Sequence, residues 1–329
     1  MVAVSVVIPV YNEEESVDAL CDKLSTSLSR LNRTYEIILV DDGSTDRTWD
    51  LLAARAANDA HIRLIRFRRN FGQTAAMSAG FHHAKGEIIV TLDADLQNDP
   101  DDIPLLLDRM DQGYDVVSGW RRDRKDPFIH RRLPSMLANG LISRITGVHL
   151  HDYGCTLKAY RANVIQDVHL YGEMHRFIPA LASWVGGKVD EVVVQHHARQ
   201  YGQSKYGLSR TFRVVLDLIT VKFLMRYSLG PMQIFGKIGL YFLLPGVFLF
   251  ALMILGHASY LLFGTELGSE LVKRPFWLIS TVMLIFLGMQ FISMGLLAEI
   301  QIRTYHEAQN KRTYVIRELV DGSRPQATV

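Results

Sequence analysis

Asp93 and Asp95 stand one residue apart at the end of an apolar run, Glu87–Leu92 (EIIVTL), and Gln97 follows at the same spacing. Two carboxylates so close repel each other unless something positive lies between them. Oxygen ligands spaced D-x-D suit a hard divalent cation, Mg²⁺ or Mn²⁺, that bridges them to a diphosphate. The spacing alone is common, and an exposed acidic turn would read the same way. A second acidic pair, Asp41-Asp42, closes another apolar run, Tyr35–Val40 (YEIILV), and strengthens the cation reading.

These residues need a scaffold, and the first two hundred residues supply its pattern. Val4–Val10 (VSVVIPV) reads as a buried strand, and Glu13–Leu31 carries apolar residues at helical spacing. Tyr35–Val40, Ile62–Phe67 and Glu87–Leu92 read as further strands, with helices over Thr45–Ala57 and Gln73–Ala84 between them. Strands alternating with helices predict an α/β fold, a mostly parallel sheet covered on both faces. Ligands in such sheets bind beyond the carboxyl ends of the strands. Three stretches lie there: Pro9-Val10-Tyr11-Asn12-Glu13, Asp41-Asp42 and Asp93-Ala94-Asp95.

The chain has 329 residues, a net charge of +2 and 48% apolar residues. The near balance of charge gives no footprint for nucleic acid. The two cysteines, Cys21 and Cys155, are too few for a disulfide framework and read as thiols in a reducing compartment. Val4–Val10 is short, lacks a basic flank and is not read as a signal peptide. Ile238–Phe263 and Phe276–Ala298 contain no Asp, Glu, Lys or Arg. Each is long enough to cross a bilayer, and Pro245-Gly246 predicts a kink in the first. Lys222, Arg226 and Lys237 precede the first span, and Arg303, Lys311, Arg312 and Arg317 follow the second. That bias places both termini in the cytoplasm. Two basic amphipathic stretches complete the layout. Arg131–Val148 is open between the headgroup layer and ordinary core packing, and Leu208–Leu229, abutting a span, is read as interfacial. The predicted organisation is a soluble domain over 1–207, a juxtamembrane helix over 208–231, a two-helix region over 232–302 and a tail over 303–329.

The stretches VSVVIPVYNEEES, ILVDDGSTD, RNFGQTAAMSAG and LDADLQNDP occur in that order. Together they resemble the signature of family 2 glycosyltransferases with the GT-A nucleotide-sugar-binding fold. GWRRDR (119–124), HDYGCTLKAYR (151–161), HRFIP (175–179) and RQYGQSKY (199–206) narrow the resemblance to polyprenyl-phosphate glycosyltransferases. Within them the chain is most similar to undecaprenyl-phosphate 4-deoxy-4-formamidoarabinose transferases and bactoprenol glucosyltransferases. Dolichyl-phosphate mannose synthase is a more distant relative. Asp99 stands where the family often has proline, and Lys158 where arginine is common; little consequence is expected from Asp99.

The resemblance implies transfer of a sugar from a nucleotide diphosphate to the phosphate of a membrane lipid, in service of the cell envelope. It implies that Pro9, Tyr11 and Glu13 surround the base, that Asp41 contacts base or ribose, and that Asp93, Asp95 and Gln97 hold Mg²⁺ or Mn²⁺. Asp42 is open between ligand contact and capping the next helix. Arg199 and Lys205 are chosen to balance the charge of the diphosphate, with Arg121 and Arg124 as further phosphate ligands. Asp152 is the family's usual candidate base. A phosphate monoester is already largely dianionic near neutral pH, its second pKa being about 6, so Asp152 is equally a group that orients the acceptor, binds a sugar hydroxyl or positions a cation. A single displacement would invert the anomeric centre. UDP is favoured over GDP by nearest resemblance, with a GDP-mannose transferase as the alternative. Self-association is also implied, with the tail after Arg303 as its candidate surface. A processive synthase would carry Q-x-x-R-W and more spans, a transporter would carry charges inside its spans, and a silent scaffold has no need of DxD.

Overall fold

The computed structural model describes residues 2–122, 133–165, 172, 174–184, 186–198, 218, 220–223, 231–264, 274–308, 316–321 and 324–325. Strands β1 (Val4–Val10), β2 (Tyr35–Asp41), β3 (Ile62–Phe67) and β4 (Ile88–Thr91) are parallel, with β1 between β2 and β4 and with β3 outside β2. Strands β1, β2 and β4 are buried on both faces, which explains their mostly apolar runs, while β3 leaves Arg63 and Arg66 partly exposed. Helix α1 (Val17–Ser29) buries Val17, Leu20, Leu24 and Leu28 along one stripe, and α2 (Thr48–Asn58) buries Trp49, Leu52 and Ala56. Helix α3 (Gln73–His83) follows β3 and leads to β4.

Two helices start later than the spans Glu13–Leu31 and Thr45–Ala57 read from the sequence, for local reasons. The Glu13 amide N–H donates to Thr48 Oγ1 at 2.9 Å and Ser16 Oγ donates to the Glu13 carboxylate at 3.0 Å, so residues 13–16 form a turn before α1. The Thr48 N–H donates to Asp46 Oδ1 at 3.0 Å, an Asx turn that delays α2.

Past β4 the sheet becomes mixed. Helix α4 (Ile103–Asp111), β5 (Val116–Trp120), α5 (Leu133–Thr146), β6 (Lys158–Arg161) and β7 (Val189–Val193) follow. The strand order is β7-β5-β6-β4-β1-β2-β3, extended by β8 (Ile316–Asp321) and β9 (Arg324–Pro325). Strand β6 lies antiparallel between β4 and β5, with Thr91 opposite Lys158 and Ser118 opposite Lys158. The start of β6 therefore sits beside the end of β4, next to Asp93. Strand β8 pairs antiparallel with β3. The sequence reading held only a tail there, because an edge strand is defined by a partner distant in sequence.

The chain forms two compact units, Met1–Lys222 with Arg312–Val329, and Phe223–Lys311. The second unit holds two helices, Met232–Phe263 and Pro275–Ala308, which contain the two predicted spans. Only 17% of each apolar window is buried, and both helices are candidate membrane spans by length and composition. The first runs helically through Pro245. Glycines bring the pair together: a Cβ on Gly239 would lie 2.8 Å from the Gly288 carbonyl oxygen, and one on Gly288 would lie 2.7 Å from Leu243 Cβ. Small residues at such crossings let backbones approach closely. Most of the juxtamembrane stretch 208–231 lies outside the described residues.

Candidate functional site

The acidic pair leaves the end of β4. Asp93 is partly exposed and Asp95 is buried. Leu96 has φ +58°, a left-handed turn that folds the chain back so that the Gln97 N–H donates to Asp95 Oδ1 at 3.2 Å. Gln73, the first residue of α3, donates from Nε2 to Asp93 Oδ1 at 2.8 Å. Burial, and then the neighbouring Asp95 carboxylate, push Asp93 up to about 6. That is the electrostatic signature of a site short of positive charge.

Asp42 supports this arrangement from behind. Its two oxygens accept the N–H groups of Phe71 at 2.7 Å and Gly72 at 2.9 Å, fixing the loop that delivers Gln73. Burial still outweighs those bonds and raises Asp42 to about 6. Gly43 has φ +72°, and a Cβ there would lie 2.5 Å from the Arg69 carbonyl carbon, so this loop packs directly on the end of β2. Of the two options for Asp42, the described contacts are loop contacts rather than a helix cap.

The base-side candidates cluster at the ends of β1 and β2. Pro9, Tyr11 and Glu13 are partly exposed. Asp41 is buried, accepts from the Ser44 N–H at 3.0 Å and lies 3.4 Å from Arg66 Nε. Burial raises its pKa, with Ser44 and Arg66 opposing. Asn12 ties together the loops that follow β1 and β2, with φ +52° and its Oδ1 accepting the Thr45 N–H at 2.9 Å.

The opposite wall comes from β5, β6 and the loop between α5 and β6. Arg121 grips Asp152 with two donors, Nε to Oδ2 at 2.8 Å and Nη2 to Oδ1 at 3.1 Å, and the Gly154 N–H adds a bond to Oδ1 at 3.1 Å. Two candidates that the sequence treated separately are thus partners. Burial works against the Arg121 charge, but Asp152 outweighs it and raises the guanidinium pKa. Helix α5 braces this loop through Asn139 Nδ2, which donates to the His151 carbonyl at 2.7 Å. Lys158 donates to the carbonyls of Tyr153, at 3.1 Å, and Cys155. His175 Nδ1 is 2.7 Å from Thr74 Oγ1, tying the 174–177 turn to α3 beside Gln73. Asp93, Gln97, Arg121, Lys158, His175 and Arg176 line one cleft.

Arg124, Arg199 and Lys205 lie outside the described residues. The segment that leads to Arg199 is nevertheless fixed to the acidic loop. The His197 N–H donates to the Gln97 carbonyl at 2.9 Å, its Nε2 is 2.7 Å from Asp99 Oδ2, and the Gln195 N–H donates to Asp102 at 2.6 Å. Asp99 also pairs with Lys23 at 3.0 Å. Burial opposes its charge, but His197, the Asp101 N–H and Lys23 outweigh it and hold the carboxyl below its usual range. Asp99 thus makes side-chain contacts with His197, the Asp101 N–H and Lys23 that a proline could not make.

Gln73 was not singled out by the sequence reading, although RNFGQTAAMSAG contained it; a glutamine at a helix start carries no signal until its partner is known. Among the described residues, no three His, Cys, Asp or Glu side chains converge on one metal position. Asp93 and Asp95, two residues apart after β4 and close enough for one carboxylate to raise the other, offer oxygen donors only. That fits a Mg²⁺- or Mn²⁺-like ion completing its shell with phosphate oxygens and water.

A profile described as "Glycosyl transferase family 2" matches residues 5–168. The chain is 45% identical over 326 residues to a dodecaprenyl-phosphate galacturonate synthase of Rhizobium johnstonii, covering 96% of this chain and 93% of that one. It is 40% identical over 323 residues to an undecaprenyl-phosphate 4-deoxy-4-formamido-L-arabinose transferase of Edwardsiella ictaluri, covering 98% and 95%. The fold is similar to that of glucosyl-3-phosphoglycerate synthase from Mycobacterium tuberculosis in complex with Mn²⁺, UDP and glucosyl-3-phosphoglycerate. There the TM-score is 0.54 at 18% identity, over 68% of this chain and 80% of that one.

Proposed function

Because this chain belongs to glycosyl transferase family 2 and carries the GT-A fold, we propose that it moves a sugar from a UDP-sugar to polyprenyl phosphate at the cytoplasmic face of a membrane. The carrying observation is the acidic pair at the end of β4, held by Gln73 and faced by a cationic wall in one cleft. The two relatives named above act on dodecaprenyl and undecaprenyl phosphate by their names, which supports the acceptor class. They move different sugars, so the donor sugar is left open.

Along the sheet edge the candidates fall in a chemical order. Pro9, Tyr11, Glu13 and Asp41 at β1 and β2 suit the nucleoside. Asp93, Asp95 and Gln97 after β4 suit a divalent cation. Arg121, Lys158 and Asp152 at β5 and β6 suit the acceptor. A bound Mg²⁺ or Mn²⁺ would supply Lewis-acid stabilisation of the departing diphosphate. Gln73 orients Asp93 for that ion. Arg199 and Lys205 would reach the phosphates from a segment anchored at Gln97. Asp152, clamped by Arg121, holds the arginine and the acceptor wall in place rather than taking a proton, since a phosphate dianion attacks unaided. A single displacement inverts the anomeric centre.

The two-helix unit explains how a soluble donor meets a lipid. Each CH₂ of a polyprenyl tail costs about 0.8 kcal/mol to expose to water, so the acceptor stays in the bilayer and its phosphate stays at the headgroup plane. The chain leaves the sheet-bearing unit after Lys222 and returns to pair β8 with β3, which supports a hairpin with both ends on one side. The test is UDP release from a panel of UDP-sugars by the full chain in detergent. We expect release only with undecaprenyl phosphate present, and its loss in Asp95→Asn. Release that is indifferent to the lipid would contradict the reading, as would release only from GDP-sugars.

A further inference from the structure

Leu96 takes φ +58°, a left-handed conformation that a bulky apolar residue keeps only where its surroundings hold it. It stands between Asp95 and Gln97, so whatever holds this turn also holds two residues assigned to the cation. The hold comes from a distant stretch of chain. Past the turn, residues 97–102 lie against residues 195–197. The His197 N–H donates to the Gln97 carbonyl at 2.9 Å, Asn98 and His196 form an antiparallel bridge, and the Gln195 N–H donates to Asp102 at 2.6 Å. The Gln97 N–H donates to Asp95 Oδ1 at 3.2 Å. Gln97 is therefore held at its carbonyl by His197 and at its amide by the carboxylate of the acidic pair.

Asp99 is the side chain at the centre of this contact, and it is 6% exposed. Its Oδ2 lies 2.7 Å from His197 Nε2, and its Oδ1 accepts the Asp101 N–H at 3.0 Å and lies 3.0 Å from Lys23 Nζ on α1. Those three partners belong to three stretches: the 195–197 segment, the turn Pro100–Asp102 and α1. A carboxylate satisfied in a low-dielectric setting binds its partners more strongly than one in water, so it fixes their spacing. We propose that Asp99 and His197 are positioning residues for the donor's cation. They act through Gln97: the Asp99–His197 pair sets the His197 backbone, which holds the Gln97 carbonyl, and the Gln97 amide orients the Asp95 carboxylate. This rests on the reading above in which Asp93, Asp95 and Gln97 hold Mg²⁺ or Mn²⁺ against a diphosphate.

The experiment measures Mn²⁺ affinity in the presence of UDP by electron paramagnetic resonance, and UDP affinity without metal by calorimetry, on the full chain in detergent. His197→Ala and Asp99→Ala are each expected to weaken Mn²⁺ about tenfold, the lower end for a hydrogen bond to a charged group. Metal-free UDP affinity is expected to stay unchanged, a split that general loosening of the fold would not produce. His197→Gln, whose amide nitrogen can reach Asp99 much as Nε2 does, should restore most of the Mn²⁺ binding. In the metal-free protein, hydrogen exchange should quicken at the Gln97 and His197 amides in His197→Ala. If Asp99→Ala does not fold, His197→Ala, whose side chain is 40% exposed, decides alone. Mn²⁺ affinity unchanged in His197→Ala would overturn the proposal. Equal losses of Mn²⁺ and metal-free UDP binding would overturn it too, as would His197→Gln behaving like His197→Ala. A wild-type protein that binds no UDP–Mn²⁺ would sink the donor reading itself, and this proposal with it.

Discussion

Asp152→Asn separates a structural counter-ion from a catalytic base. The carboxylate side chain is 3% exposed, its Arg121 partner is 11% exposed, and two charge-assisted bonds join them. Water therefore screens little of the pair. Breaking a buried ion pair from one side costs about 3–5 kcal/mol, because the partner charge is stranded. Asparagine keeps one acceptor oxygen, which puts the cost near the lower end, about 3 kcal/mol. At about 2–4 °C per kcal/mol for a domain of this size, the melting midpoint should fall by about 6–12 °C. Adding Arg121→Met removes the stranded charge and should recover most of that loss. The assay is a thermal melt of the full chain in detergent, paired with turnover at a temperature where every variant is folded. Asp152→Asn should retain more turnover than Asp95→Asn, whose midpoint should hold because it relieves like-charge repulsion with Asp93. An unchanged midpoint in Asp152→Asn with turnover abolished would refute this reasoning and make Asp152 the base.

Other consequences follow from the same contacts. Gln73→Ala removes the donor to Asp93 Oδ1; Mn²⁺ affinity in the presence of UDP, read by electron paramagnetic resonance, should drop about tenfold or more, and an unchanged affinity would count against the positioning role. Asp93 is raised to about 6, so a proton competes with the cation. UDP–Mn²⁺ affinity should fall about tenfold per pH unit below that value and level off above it. Asp42 and Asp93, both raised to about 6, bind protons more tightly folded than unfolded. Without cation, their contribution to stability should therefore decline as pH rises from about 4 to about 6, and Mn²⁺ with UDP should flatten that slope in a melt series. Gly43→Ala combines a left-handed φ of +72° with a Cβ only 2.5 Å from the Arg69 backbone. It should cost about 2 kcal/mol or more and loosen the loop ahead of Gln73, visible as a lower midpoint together with weaker Mn²⁺ binding.

The parallel half of the sheet was legible because its strands are mostly apolar, Val4–Val10 and Ile88–Thr91 most clearly, and because α1 and α2 carry apolar stripes. Ile62–Phe67 begins and ends where its composition says it should. Helix starts were less legible, since Thr48 and Ser16 answer to polar side chains in the turns before them. The reversal of β6 between β4 and β5 and the arrival of β8 at the far edge depend on pairings across long stretches of chain. No local pattern encodes those. At the site, Asp93 and Asp95 announced themselves by type and spacing, and Asp152 and Arg121 by resemblance. Their pairing, the Asp42 loop contacts, the Gln73 support and the Asp99 junction are properties of distance. Lys158 drew notice only as a substitution for arginine; burial and its two carbonyl partners give it meaning.

The central claim is that the phosphate of a membrane lipid receives the sugar. Purified full-length protein, Mn²⁺ and a panel of UDP- and GDP-sugars would be incubated with undecaprenyl phosphate or with undecaprenol, and the lipids read by mass spectrometry. We expect one UDP-sugar to yield a glycosyl phosphate lipid from undecaprenyl phosphate, none from undecaprenol, and none with Asp95→Asn. Glycosylated undecaprenol, or a phosphate-lipid product that persists in Asp95→Asn, would contradict the claim.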